Sequence, residues 1–155
     1  MKSNTRKLIG AIALPLAVGG LSALLTRHGM ELYEQLPKPA LSPPGWLFPI
    51  VWSILYILMG YSAYRIGRTN APGRDDALFA YGAQLFVNFW WSIFFFAWEL
   101  WFVSFFWLLL LLALTVLMVR RFGGIDQTAA KLNIPYIVWL VFAAYLNLSV
   151  ALLNH

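Results

Sequence analysis

Residues 36–52, LPKPALSPPGWLFPIVW, place four prolines and a glycine in ten residues and then run into an uncharged aromatic and aliphatic stretch. Proline fixes φ and removes a backbone donor, so the first part reads as a stiff loop. The second part begins a segment, Trp46–Tyr64, without a single charged side chain. Four further segments share that property: roughly Leu8–Thr26, Ala77–Trp98, Trp101–Val119 and Leu132–Leu153. A helix of about 19 residues reaches about 28 Å, close to the hydrocarbon thickness of a bilayer. It also satisfies every backbone group internally, as a segment in lipid must. The chain of 155 residues therefore reads as one all-α transmembrane domain, a bundle of five spanning helices with a proline-rich loop over residues 27–45.

Composition points the same way. The chain is 61% hydrophobic and 11% charged, against about 25% charged in a water-soluble domain. Its net charge of +5 does not call for nucleic acid, because the basic residues sit in the gaps between apolar runs. Lys2, Arg6, Lys7, Arg65, Arg68, Arg74, Arg120, Arg121 and Lys131 fall on one side, and Arg27 and Lys38 on the other. By the positive-inside rule the N-terminus is cytoplasmic and the C-terminus and proline-rich loop are outside. The basic start and apolar run of residues 1–26 also suit a secretory signal; the apolar stretch exceeds a signal core, and it reads as the first spanning helix.

The polar residues inside the spans are uncharged and patterned. Acidic and basic groups near the midplane are what ion-coupled transporters and pumps need, so their absence disfavours those classes. There is no cysteine, which excludes thiol chemistry and cysteine metal sites. No catalytic dyad or metal cluster is visible either, with His28 and His155 far apart. Gln84, Asn88 and Ser92 follow one another at steps of four and share a helical stripe. The stripe fits either an interhelical hydrogen-bond seam or a ligand site. Tyr136, Trp139, Ala143 and Asn147 share a face of the fifth span, and Trp52, Tyr56 and Met59 a face of the second. Gly19 with Ala23, and Ala80 with Ala83, allow close helix approach.

LYEQLPKPALSPPGWLFPIVWSILYILMGYSAY, NFWWSIFFFAWE and IPYIVWLVFAAYLN occur in an order and spacing that resemble the translocator protein family, also called the tryptophan-rich sensory protein or peripheral-type benzodiazepine receptor family. The resemblance implies a five-helix membrane bundle, paired as a homodimer, with a pocket under the first loop. Its ligands would be porphyrins, protoporphyrin IX among them, and hydrophobic benzodiazepine- or isoquinoline-type molecules, with no required cofactor. Tyr33, Pro43, Pro44, Trp52, Asn88, Ser92, Trp139 and Ala143 match the ligand-binding positions, and for Asn88 the resemblance favours pocket over seam. It further implies a receptor or sensor. The alternatives are a transporter of tetrapyrroles or other amphiphiles, or a protein that degrades porphyrin in light through Trp52 and Trp139. The chain departs from the pattern at Leu41, where the family usually has tryptophan, and at Leu148, Ala151 and Leu152, where it often has tyrosine, tryptophan and arginine; the animal sterol motif needs that tyrosine and basic residue and is absent there. Leu58, Tyr61 and Arg65 fit only a loose sterol pattern. The missing sterol motif points to a bacterial cell membrane as the setting.

Overall fold

The computed structural model describes residues 2–154, with side chains from Asn4 onward; Met1 and the terminal His155 lie outside the described residues. Six α-helices follow in order: α1 (Lys2–Glu34), α2 (Leu47–Gly67), α3 (Arg74–Ser92), α4 (Trp101–Gly123), the short α5 (Gln127–Leu132) and α6 (Ile134–Asn154). A π-helical turn, Ile93–Ala97, prolongs α3. Five helical stretches are long and apolar enough to cross a membrane, the last being α5 and α6 together. The protein is thus an all-α, multi-pass membrane protein.

Each span outruns its charge-free core, because a long basic side chain at a helix end carries its charge out to the interface. The excess is greatest in α1. Its 33 residues reach about 50 Å, well beyond the hydrocarbon. Nothing between Arg27 and Glu34 breaks a helix, so the first eight residues of the expected loop are helical; the chain leaves the helix ahead of Pro37, as the restriction before proline requires. Lys38 then caps the end by donating to the carbonyl oxygens of Glu34 (2.9 Å) and Tyr33 (3.4 Å). Tyr33 consequently stands on a helix, and the loop proper is short.

α1 packs on α2, α3 on α4, and α4 on α6. The α1–α2 contact explains two residues at once. Pro15 lies inside α1 and cannot bond to the carbonyl of Ala11. That carbonyl faces Gly60 of α2, where a Cβ would collide with it and with Ile12. Glycine lets the two backbones close over the weak spot. The outer faces of α1, including Ile9, Leu14, Leu21 and Leu24, stay exposed for lipid.

The basic half of the bundle is locked by polar groups. Arg65 Nε donates to Asp126 Oδ2 at 2.8 Å, and Asp126 Oδ1 accepts from the backbone amides of Thr128 and Ala129, capping α5. Asn133 Nδ2 donates to Ser62 Oγ and to the Ala129 carbonyl. These bonds tie the α4–α6 connection to the end of α2.

Candidate functional site

Toward the loop end the helices part around a cavity of about 260 Å³. Its walls come from α1 (Gly19, Ala23, Tyr33), α2 (Phe48, Trp52, Tyr56), the α3–π-turn region (Trp91, Phe95, Phe96) and α6 (Trp139, Ala143, Asn147). Each wall has a local cause. Gly19 lines it because the Tyr56 ring occupies the space its side chain would need. The π turn follows from backbone donation i to i−5, as in Trp98 to Ile93 at 2.9 Å. One residue is thereby inserted, so that Phe95 and Phe96 line the same hollow as Trp91 and Ser92. Two residues beyond the turn, Glu99 has a left-handed φ of 53°. Gly29 lets α1 approach the Phe96 carbonyl.

The aromatic rings hold one another. Trp52 stacks on Tyr56 (centroids 5.5 Å) and meets Trp139 edge to face at 6.4 Å and 89°. Phe48 abuts Trp139, and Tyr33 abuts Phe48, Phe95 and Phe96. Trp91 Nε1 donates to Asn147 Oδ1 at 3.0 Å, and Asn147 Nδ2 to the Trp101 carbonyl at 2.8 Å. Trp139 Nε1 is buried with no hydrogen-bond partner among the described residues. A buried donor without a partner is rare and asks for an explanation. Along the α1–α2 seam the lining residues Gly20, Ala23, Pro49 and Ser53 are exposed, so the cavity reaches the lateral surface there.

Of the residues singled out in the sequence, Tyr33, Trp52, Ser92, Trp139 and Ala143 line this one cavity. Pro43 and Pro44 lie in the loop without lining it, with Gly45 next to them at the wall. Asn88 lies one layer deeper. Its Oδ1 accepts from Tyr56 Oη (2.9 Å), and its Nδ2 donates to Tyr136 Oη (2.6 Å), which donates in turn to Gln84 Oε1 (2.8 Å). Asn88 is 1% exposed; it belongs to the buried seam and touches the cavity through Tyr56. Leu41, which stands where an indole was expected, is 70% exposed and away from the lining. Phe48, Trp91, Phe95 and Phe96 were not foreseen. The run NFWWSIFFF around the π turn was the signal for the last three, but its helical register was hidden; Phe48 lies apart from it, in WLFPIVW. Among the described residues no group of three His, Cys, Asp or Glu is placed to hold a metal ion.

A bundle with five helices long and apolar enough to span a membrane, and with an indole-walled internal cavity, defines the class: a multi-pass helical membrane protein with an aromatic hollow. Comparison with known proteins narrows it. The TspO/MBR family model matches residues 11–153, and the chain belongs to that family. It is 36% identical to the tryptophan-rich protein TspO of Chlorobaculum tepidum over 148 residues, 92% of each chain. It is 33% identical to the protein of the same name from Archaeoglobus fulgidus, over 97% of this chain and 99% of that one. The translocator protein of Bos taurus is 34% identical over 90% of this chain and 85% of its own.

Proposed function

We propose that the protein is a membrane receptor or sensor that binds porphyrins such as protoporphyrin IX, and hydrophobic benzodiazepine- or isoquinoline-type molecules, in the cavity between α1, α2 and α6. The observation that carries this reading is the pair Trp52 and Trp139, set edge to face on the wall of one hollow. A flat aromatic ligand gains area and quadrupole contacts from such walls. The proline-rich loop needs little ordering to close the mouth, which favours affinity.

The test is a titration of the purified protein with protoporphyrin IX, followed by tryptophan fluorescence. Saturable quenching is expected, weakened at least tenfold by Trp139→Ala. Quenching that is non-saturable, or identical in the variant, would remove the pocket. A translocating role is the second reading, favoured by the opening of the cavity along the α1–α2 seam; flux of bound ligand across liposomes tests it. Light-dependent porphyrin breakdown through the same two indoles is the third, tested by loss of porphyrin absorbance slowed in Trp52→Phe and Trp139→Phe.

The setting we propose is a bacterial cell membrane with the nine-residue basic side in the cytoplasm. A homodimer is proposed with α3 at the contact, where Phe79 and Phe86 are exposed and Gly82 has open space beside it. Cysteine cross-linking at position 82 in membranes tests the pairing.

A further inference from the structure

The membrane interior reads as uncharged, yet the cavity has one acidic wall. Glu34, in the last turn of α1, is the one charged residue among the described lining residues. Its Oε1 lies against Gly45, in space that any side chain there would fill. Among the described residues its carboxylate has neither an ion pair nor a side-chain hydrogen bond. Lys38 donates to the backbone carbonyls of Tyr33 and Glu34, with its ammonium over the Tyr33 ring at 4.9 Å. It does not line the cavity.

The rings of Tyr33, Phe48, Trp52 and Trp139 line the same cavity. Aromatic faces attract cations, most strongly where water is excluded, and rings grouped around a hollow are how quaternary ammonium groups are held. The C-terminus of α1 contributes its own partial negative charge at the same place. The balance of the loop side agrees: Arg27 and Lys38 are outnumbered there by Glu31, Glu34 and Glu99.

We infer that the cavity mouth is selective for lipophilic monocations, amphiphiles carrying a protonated or quaternary amine on an aromatic body, and that Glu34 is the residue that sets this preference. The cationic head lies between the Glu34 carboxylate and the aromatic walls, and the apolar body fills the hollow beyond. A carboxylate-bearing ligand must turn its anionic groups away from the same spot. The inference rests on the cavity being the ligand pocket, and its test separates the two.

The experiment uses the full chain in detergent micelles. Calorimetry compares (4-phenylbutyl)trimethylammonium with its neutral isostere, in which a tert-butyl group replaces the trimethylammonium; fluorescence follows protoporphyrin IX. The wild type is expected to bind the cation about tenfold more tightly than the isostere, less so as salt screens the mouth. Glu34→Gln removes that preference, leaves the neutral probe unchanged and tightens the dianionic porphyrin several-fold. Lys38→Gln moves the cation in the opposite direction, toward tighter binding. A variant that was merely misfolded would weaken every ligand together. Equal binding of the two small probes by the wild type, no binding of the cation, or a preference that survives Glu34→Gln overturns the inference. If protoporphyrin still quenches saturably, the pocket stands without it; if protoporphyrin also fails, both fall.

Discussion

The two halves of the bundle use the same side chains to opposite ends. On the basic side, tyrosine, asparagine and glutamine are spent on one another: Tyr136 bridges Asn88 and Gln84, and Asn133 holds Ser62. On the loop side Trp91 and Asn147 still pair, but most tyrosine and tryptophan rings surround a hollow, and Trp139 Nε1 has no partner among the described residues. In a bilayer, burial of apolar surface distinguishes a folded bundle from separate helices far less than it does in water, so packing and polar pairs must specify it. The difference teaches where the fold is fixed and where room is kept. The half with paired polar groups carries specificity of structure, and the half with idle rings carries capacity for a guest.

That contrast can be broken at defined places. Gly60→Val drives a branched side chain into the α1 backbone at Ala11 and Ile12; it is expected to cost about 3 kcal/mol, at the upper end for overpacking, seen as a lowered melting temperature by circular dichroism in detergent. Tyr136→Phe leaves Asn88 Nδ2 and Gln84 Oε1 without their partner. Its expected cost of about 2 kcal/mol exceeds the average membrane hydrogen bond because two buried groups are orphaned at once. Porphyrin affinity should hold within about twofold, and a large loss of affinity at unchanged stability would erase the division between halves. Tyr56→Phe sits on the border, since Tyr56 lines the cavity and donates to Asn88. It is expected to lower stability by about 1 kcal/mol and ligand affinity a few-fold, the one variant of the three to move both readouts.

The smallest effect is electrostatic. The Arg65 guanidinium bonded to Asp126 holds its carboxyl below the ordinary value of 3.8, against the opposing effect of burial and with help from the Ala129 amide. A carboxyl depressed in the folded state stabilises in full above its ordinary value, and that contribution fades as pH falls through the depressed one. Melting temperature should therefore drop as pH is lowered below about 4. Asp126→Asn should lower it at pH 7 and flatten that acid limb, and an unchanged acid limb in the variant would show that the pair is not what responds.

The five spans were legible because charge is excluded from lipid, and a gap in charge is easily read. Their ends were less so, since Arg27, Glu31 and Glu34 are tolerated on a helix that has already left the hydrocarbon. Trp52, Trp139 and Ala143 were legible as cavity residues from their shared faces and the family resemblance. The stripe of Gln84, Asn88 and Ser92 is one feature in the sequence, and it divides by depth: the first two lie in the seam and Ser92 lines the hollow. A step of four fixes direction around a helix, but not the layer at which neighbouring helices separate. Phe95 and Phe96 escaped for a different reason, because a regular period of 3.6 fails across the turn at 93–97.

That turn has a consequence for how the chain tolerates length changes. A regular helix rotates about 100° per residue, and the wide turn absorbs one extra residue locally. Removing a single residue between 93 and 97 would restore ordinary winding. The flanks would keep their faces, but Phe95 and Phe96, which lie inside the turn, could no longer both be held toward the hollow. A deletion that looks conservative by length would empty one wall of the chamber, whereas the same deletion in the loop at 40–42 would leave all four walls in place.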